Sequence, residues 1–206
     1  MQIFEMILDE DQEGFGVNAV SLVKSPAILS DFVALSDQKP IMLSADVDKQ
    51  ILIGCALIPD KPIFRKGENG AEDYYIYFSK DTVAKTAQNF FRQGNQNNAT
   101  LEHSSELTGM TIFESWIVED TKLDKSAKYG LEAPEGTWCV AMKVDDDAIW
   151  EKHVKGEEVF GFSIEGTFAN KLVSDIEMSS QKVEMSEDDI LNETLEMIRT
   201  FVKESI

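Results

Sequence analysis

The sequence predicts a mainly β protein of the α+β class. Most of its apolar residues fall in short runs rich in valine, isoleucine, phenylalanine, tyrosine and tryptophan, and turn residues separate these runs. Two segments break this pattern with the apolar spacing typical of helices. The chain has 206 residues, of which 43% are hydrophobic, and is therefore long enough for one domain with a substantial core and a small extension.

Eight strands are predicted in the first 170 or so residues. Glycine, proline or charged turn residues bound each of them. Their ranges are Gln2–Leu8, Val17–Val23, Gln50–Ile58, Tyr74–Phe78, Thr100–His103, Met110–Glu119, Thr137–Val144 and Val159–Phe168. A loop over residues 122–136, long for a compact domain, separates the sixth strand from the seventh.

Two helices interrupt these strands. Ser79 is expected to cap a helix from Lys80 to about Gln93, and Gly94 is expected to end it. Its apolar face is predicted to consist of Val83, Ala84, Ala87, Phe90 and Phe91. The second helix, Asp146 to Lys155, begins with acidic residues, which stabilise the positive end of a helix dipole.

The composition divides the chain into three parts. Residues 1–172 hold all the predicted strands and form the predicted β domain. Residues 173–186 are polar and acidic, as in a linker. Residues 187–206 are predicted to form an amphipathic helix in which Leu191, Leu195, Ile198 and Val202 share one face. This helix is expected to dock on the domain or on another chain.

Net charge and cysteine content indicate the partners and the cellular environment of the protein. Thirty-eight acidic against 19 basic residues give a formal net charge of −19, which repels nucleic acid and anionic membrane surfaces. We therefore expect neither a nucleic-acid partner nor a membrane partner. The N-terminus lacks the basic start of a signal peptide, and no apolar run approaches the ~18 residues that span a bilayer. Cys55 and Cys139 are predicted to be reduced core thiols of a soluble cytoplasmic protein.

Candidate chemistry centres on the stretch VFGFSIEGTF, which places Ser163 in the middle of an apolar strand. Such a hydroxyl is either structural, bonded to a neighbouring backbone carbonyl, or a nucleophile. A serine nucleophile needs a general base, and of the two histidines His103 is the better candidate. His153 is expected on the solvated face of a short charged helix. Gly161 and Gly166 would allow a substrate close to the backbone and leave N–H groups for an oxyanion.

No metal or cofactor is expected. A zinc site built from Cys55, Cys139, His103 and His153 is disfavoured because structural zinc ligands usually come in close local pairs, and these do not. The sequence also contains neither a phosphate-binding loop nor a dinucleotide-binding fingerprint.

Seven segments in one order carry a resemblance to a known family. They are AVSLVKSPAI, ILIGCALIPDKPIFRK, YYIYFSKDTV, NNATLEHS, ESWIVED, GTWCVAMKVDDDAIW and GFSIEG. Together they resemble the XkdF-like serine proteases of tailed phages, which are grouped with the prohead (capsid maturation) proteases and their assemblin-like fold. The resemblance runs from about Val17 to Gly166.

This resemblance implies a closed or nearly closed β-barrel flanked by helices, with Ser163 as nucleophile and His103 as base. It implies that the substrates are scaffold and major capsid proteins, and the protease itself, inside the assembling prohead in the host cytoplasm. The bonds after Glu177 and Glu184 are the candidate sites of self-cleavage. The C-terminal helix would support a homo-oligomer or a scaffold contact. The alternative is a non-catalytic, acidic capsid-assembly or scaffold-associated protein with the same fold.

The third catalytic residue stays open at this point. In many prohead proteases a segment similar to Ala19–Ile28 follows the serine strand and supplies an acid. Here that segment precedes the histidine, which implies a circular permutation of the chain. Asn18, Glu165 and Glu114 are the candidates, and a Ser-His dyad is the alternative. Glu165 is two residues from Ser163, so strand alternation places both on one face.

Overall fold

The computed structural model describes residues 2–9, 14–26, 43–46, 49–67, 70–156 and 158–173. The chain divides into two compact units, Met1–Leu172 and Val173–Ile206. The described strands and helices all belong to the first unit. The predicted linker, the two candidate self-cleavage sites and the predicted C-terminal helix lie outside the described residues, except for Val173.

The described residues form a mainly β structure, as predicted. The strands are β1 (Gln2–Ile7), β2 (Gly16–Val23), β3 (Leu43–Asp46), β4 (Ile51–Leu57), β5 (Ile63–Arg65), β6 (Tyr74–Phe78), β7 (Ala99–Leu101), β8 (Ser105–Leu107), β9 (Met110–Ile117), β10 (Trp138–Val144), β11 (Gly161–Thr167) and β12 (Ala169–Leu172). The α-helices are α1 (Lys80–Arg92), α2 (Lys125–Lys128) and α3 (Asp147–Ile149). A 3-10 turn (Asn95–Asn97) and a π-helical turn (Trp150–Val154) complete the described elements.

These strands form three four-stranded sheets. Sheet I has the order β12-β1-β6-β5, sheet II the order β3-β4-β10-β9, and sheet III the order β11-β2-β7-β8. Neighbours are antiparallel, except that β1 pairs with β6 and β2 with β7 in parallel. The expectation of a closed barrel is wrong for the described residues, because β11, β8 and the other outer strands end their sheets without a further partner there. The assemblin-like topology and the circular permutation stay predictions.

The main core joins all three sheets to one face of α1. Its largest fully buried side chains include Trp138, Trp150, Phe90 and Phe162. A second cluster covers the opposite face of sheet II, and alternation along β10 explains it. Val140 and Met142 point into the main core, whereas Cys139 and Ala141 point into the second cluster. Cys55 and Cys139 are both free and buried, which confirms their prediction as core thiols.

The first predicted helix is confirmed with its ends. The Ser79 side chain accepts a hydrogen bond from the backbone N–H of Thr82, and Gly94 follows the helix with a φ of 77°. Its apolar face is slightly different from the prediction. Thr86 and Asn89 are buried beside Val83, Ala87 and Phe90, whereas Phe91 remains 37% exposed.

The second predicted helix is shorter and wider than expected. Asp146 caps it by accepting from the backbone N–H groups of Ala148 and Ile149, as its acidic start suggested. After Ile149 the chain widens into the π-helical turn Trp150–Val154, and Lys155 N donates to Trp150 O. Trp150, at the start of this turn, is fully buried.

Several short strands were not predicted. β3, β5, β8 and β12 have three or four residues each, too few to show a two-residue period. The loop over 122–136 contains α2, which Asp124 caps through the backbone N–H of Ser126. The predicted strand Thr100–His103 is also wrong at its end. β7 stops at Leu101, and His103 lies in the turn that follows.

Candidate active site

Ser163 lies on β11 with its neighbours facing the main core. Phe162 belongs to that core and Ile164 packs against it, so Ser163 and Glu165 project to the other face of sheet III. Gly166 has a structural reason to lack a side chain. A Cβ atom there would lie 2.1 Å from the backbone oxygen of Gly16, so the glycine permits the close approach of β11 to β2.

Three hydroxyl residues form a row across three strands. Ser163 on β11 is opposite Ser21 on β2, and Ser21 is opposite Thr100 on β7. All three residues are buried, Ser21 completely. The Ser21 hydroxyl donates a hydrogen bond to the backbone oxygen of Thr100, with an Oγ–O distance of 3.4 Å. These three residues therefore form a polar seam across the middle of sheet III, on the face that projects away from the main core.

His103 sits at the end of this row in an unusual backbone turn. Glu102 and His103 have φ angles of 51° and 54°, in the left-handed region that non-glycine residues rarely adopt. Each such residue costs roughly 1–2 kcal/mol. Consecutive strained residues of this kind are concentrated at functional sites, where the surrounding structure holds them in place.

Hydrogen bonds to β2 hold the turn. Glu102 N donates to Leu22 O at 3.0 Å, and His103 N donates to the Ser21 hydroxyl, also at 3.0 Å. The Glu102 carboxylate accepts from Lys24 N at 2.6 Å. Such bonds contribute about 1 kcal/mol each, which is comparable with the strain of the two left-handed residues. Ser21 is thus opposite Ser163 and also bonded to the backbone of His103.

The side chain of His103 faces a carboxylate. Nδ1 of His103 lies 3.2 Å from Oε1 of Glu165, and the hydroxyl of Thr100 donates a short hydrogen bond to the same oxygen. The two side chains are 43% and 29% exposed, so water screens their interaction in part. A carboxylate at Nδ1 favours the tautomer with its proton on that nitrogen, which leaves Nε2 to accept a proton.

The other two candidates for a third residue lie elsewhere. Asn18 is exposed, and its backbone oxygen accepts a hydrogen bond from the Asn98 side chain. Glu114 is on β9 in sheet II, where it forms a short ion pair with Lys125. Of the three candidates, Glu165 is the one that the structure places against His103.

His153 has a different carboxylate partner. It is on the π-helical turn, with its Nδ1 2.6 Å from Oε2 of Glu158 and only 13% of its side chain exposed. It is therefore more buried than the solvated position that its charged segment suggested. Among the described residues, no group of three or more histidine, cysteine, aspartate and glutamate side chains is arranged to hold a metal ion. No helix in the described part of the chain is long and apolar enough to cross a membrane.

Two residues of the site were missed by sequence reasoning. Ser21 occupies the centre of an apolar strand just as Ser163 does, and that shared pattern was the signal available. Thr100 gave no signal, because threonine is common in strands. Its contact with Glu165 depends on how sheet III places β7 and β11 on either side of β2.

The comparison with protein families gives a match. The family described as "Putative phage serine protease XkdF" matches residues 38–173, about two thirds of the chain. The matched range includes His103, Ser163 and Glu165, whereas β2 with Ser21 precedes it. No curated protein and no solved structure matches the chain.

Proposed function

The chain belongs to the XkdF family of phage serine proteases, and from that premise we propose that it is a serine endopeptidase of phage capsid maturation with Ser163, His103 and Glu165 as its catalytic group. The observation that carries the residue assignment is the polar seam of sheet III. It joins the strand of Ser163 to the turn of His103 through Ser21, and it places Glu165 against the imidazole.

In the proposed reaction, Ser163 Oγ attacks the carbonyl carbon of the scissile peptide bond. His103 accepts the hydroxyl proton at Nε2 and gives it to the leaving amine as the C–N bond breaks. Water then attacks the ester formed on Ser163 while His103 takes a proton from it. His103 returns this proton to Ser163 Oγ as the ester C–O bond breaks, which releases the second product and restores the hydroxyl. Glu165 stabilises the imidazolium that forms in both steps, because its carboxylate faces Nδ1.

The proposed substrates are the scaffold and major capsid proteins, and the proposed location is the interior of the assembling prohead in the host cytoplasm. The family match supports a phage protease, and the proposed substrates and location follow from the resemblance to prohead proteases. The test is co-expression of the chain with the scaffold and capsid genes of its phage, followed by intact mass measurement of every product. Wild type should shorten at least one of these proteins, and Ser163→Ala should shorten none. Equal masses in both cultures would favour a non-catalytic assembly protein.

Self-cleavage is a separate proposal for the residues after 173. The segments DIEMS and KVEMS each place a glutamate before Met-Ser in a polar, acidic stretch, so the bonds after Glu177 and Glu184 are the candidates. Cleavage there would release the predicted C-terminal helix from the protease domain. Chains recovered from mature particles should end at one of these glutamates. Chains that still end at Ile206 beside processed capsid protein would contradict self-cleavage at these sites.

A further inference from the structure

A cavity of about 340 Å³ adjoins Ser163. Its walls come from sheet I, from β4 and from β11. Ser163 and Ile164 both line it although their side chains project to opposite faces of β11, so the cavity follows an edge of that strand. Among the described residues β11 pairs only with β2, on its other edge.

Most of the side chains that line the cavity are apolar, and its described lining residues carry one charge. Met6, Leu57, Ile63, Ile76 and Phe78 are buried there. The charge is that of Arg65, which is exposed and whose Nη1 donates to Phe64 O at 3.2 Å. No described acidic side chain lines the cavity to neutralise it. A cavity lined largely by apolar side chains, with one exposed cation, admits an uncharged side chain and disfavours a basic one.

The geometry points to this cavity as the specificity subsite of the proposed protease, a site that takes a large uncharged apolar side chain and excludes lysine and arginine. The inference rests on the proposed function, because the cavity is assigned as a subsite on the ground that it adjoins the proposed nucleophile, Ser163. A bound peptide directs alternate side chains to the same side, so side chains near the scissile bond reach the edge of β11 that the cavity follows. One of them enters the cavity beside Ser163. The volume, at the small end of ligand pockets, suits a side chain such as leucine, methionine or phenylalanine.

Two pairs of variants test the subsite. Ile76→Ala removes three carbon atoms from the cavity wall, and Ile53→Ala removes the same atoms from the second core cluster, which does not line the cavity. Arg65→Gln removes the cation, and Lys66→Gln removes the exposed cation next to it, which is not a lining residue. Arg65→Gln and Lys66→Gln change exposed residues and so keep the test open if the isoleucine variants fail to fold.

Each variant is given a random octapeptide mixture in two arms. In the first, the active protein cleaves the mixture, and mass spectrometry identifies the residues around each cut bond. In the second, the same variant in a Ser163→Ala background is immobilised and captures peptides without cleaving them. Both arms should enrich leucine, methionine and phenylalanine over lysine and arginine by about tenfold or more with the unaltered cavity. Ile76→Ala should shift the preference to larger side chains, and Arg65→Gln should relax the exclusion of basic ones, whereas both controls should leave the preferences unchanged.

The two arms distinguish a failure of the proposed subsite from a failure of the proposed protease. Cleavage that depends on Ser163 but shows the same preferences in Ile76→Ala and Arg65→Gln would overturn the subsite and leave the protease intact. A second outcome is that no variant cleaves, that capture is selective, and that Ile76→Ala and Arg65→Gln alter this selectivity. It would support the cavity as a peptide subsite and count against the enzyme. Capture without selectivity, in the absence of cleavage, would overturn the subsite.

Discussion

Nδ1 of His103 lies 3.2 Å from a carboxylate oxygen of Glu165, and Glu165 is two residues along β11 from Ser163. One strand therefore supplies both the proposed nucleophile and the group that orients its base. The turn that carries His103 reaches this strand across β2, through the hydroxyl of Ser21. Each contact in this arrangement predicts the effect of a substitution.

Glu165→Gln should reduce kcat by roughly 10²- to 10⁴-fold, because an amide at Nδ1 neither stabilises the imidazolium nor fixes the tautomer with Nε2 as acceptor. The fold should survive, since the Gln side chain retains an oxygen for the Thr100 hydroxyl. Glu114→Gln is the control, because it breaks an ion pair with Lys125 in another sheet. Steady-state cleavage of a processed scaffold peptide measures both. Equal rates for the two variants would remove Glu165 from the mechanism.

Ser21→Ala should slow cleavage by acting on the position of His103. It removes the acceptor of the His103 N–H group and leaves that donor without its partner in a strained turn, at a cost of about 1–3 kcal/mol in the free energy of unfolding. Ser115→Ala is the matched control, because it removes the acceptor of the Trp138 indole N–H in sheet II. Urea denaturation should show a loss of stability in both variants, and kcat should fall in Ser21→Ala alone. A normal kcat for Ser21→Ala would limit Ser21 to a structural role.

The cleavage rate should fall as the pH is lowered from about 8 to about 5. A protonated His103 cannot accept the Ser163 proton, so activity requires the neutral imidazole. His153→Ala should leave the shape of the profile unchanged, because the partner of His153 is Glu158, which is not a residue of the proposed site. Rates of single-turnover acylation measured across this range supply the profile. A flat profile would exclude a histidine base.

Asp124 should make part of the stability depend on pH. Partial desolvation acts to raise the pKa of Asp124, but hydrogen bonds from Ser126 and from the Trp116 indole outweigh it and lower that pKa below its ordinary value. A lowered folded-state pKa gives stability that is present above the unfolded pKa of about 3.9 and is lost as pH falls through the folded pKa. Asp124→Ala should therefore cost about 1 kcal/mol at pH 7 and less near pH 2. Denaturant unfolding at both pH values measures the difference, and an equal loss at both would contradict the linkage.

Local rules predicted the parts of the fold that depend on neighbouring residues. The caps at Ser79 and Gly94 and the strand centred on Ser163 follow from residue type and spacing alone. The His103 turn could not be predicted in this way. Its positive φ angles occur at Glu102 and His103, whereas glycine or asparagine normally marks such positions in a sequence. Sequence spacing placed Glu165 on the face of Ser163 but could not choose it over Asn18 or Glu114. That choice depends on the order β11-β2-β7, which is a property of the whole sheet.

The most direct test of the central claim is covalent labelling of the folded protein with a fluorophosphonate, followed by peptide mapping. The proposed site predicts one adduct, on Ser163, formed in wild type and in Glu114→Gln and lost in both Ser163→Ala and His103→Ala. The buried Ser21 should remain unlabelled throughout. An adduct on Ser21, or labelling of Ser163 at the same rate without His103, would contradict the assignment of Ser163 and His103 as nucleophile and base.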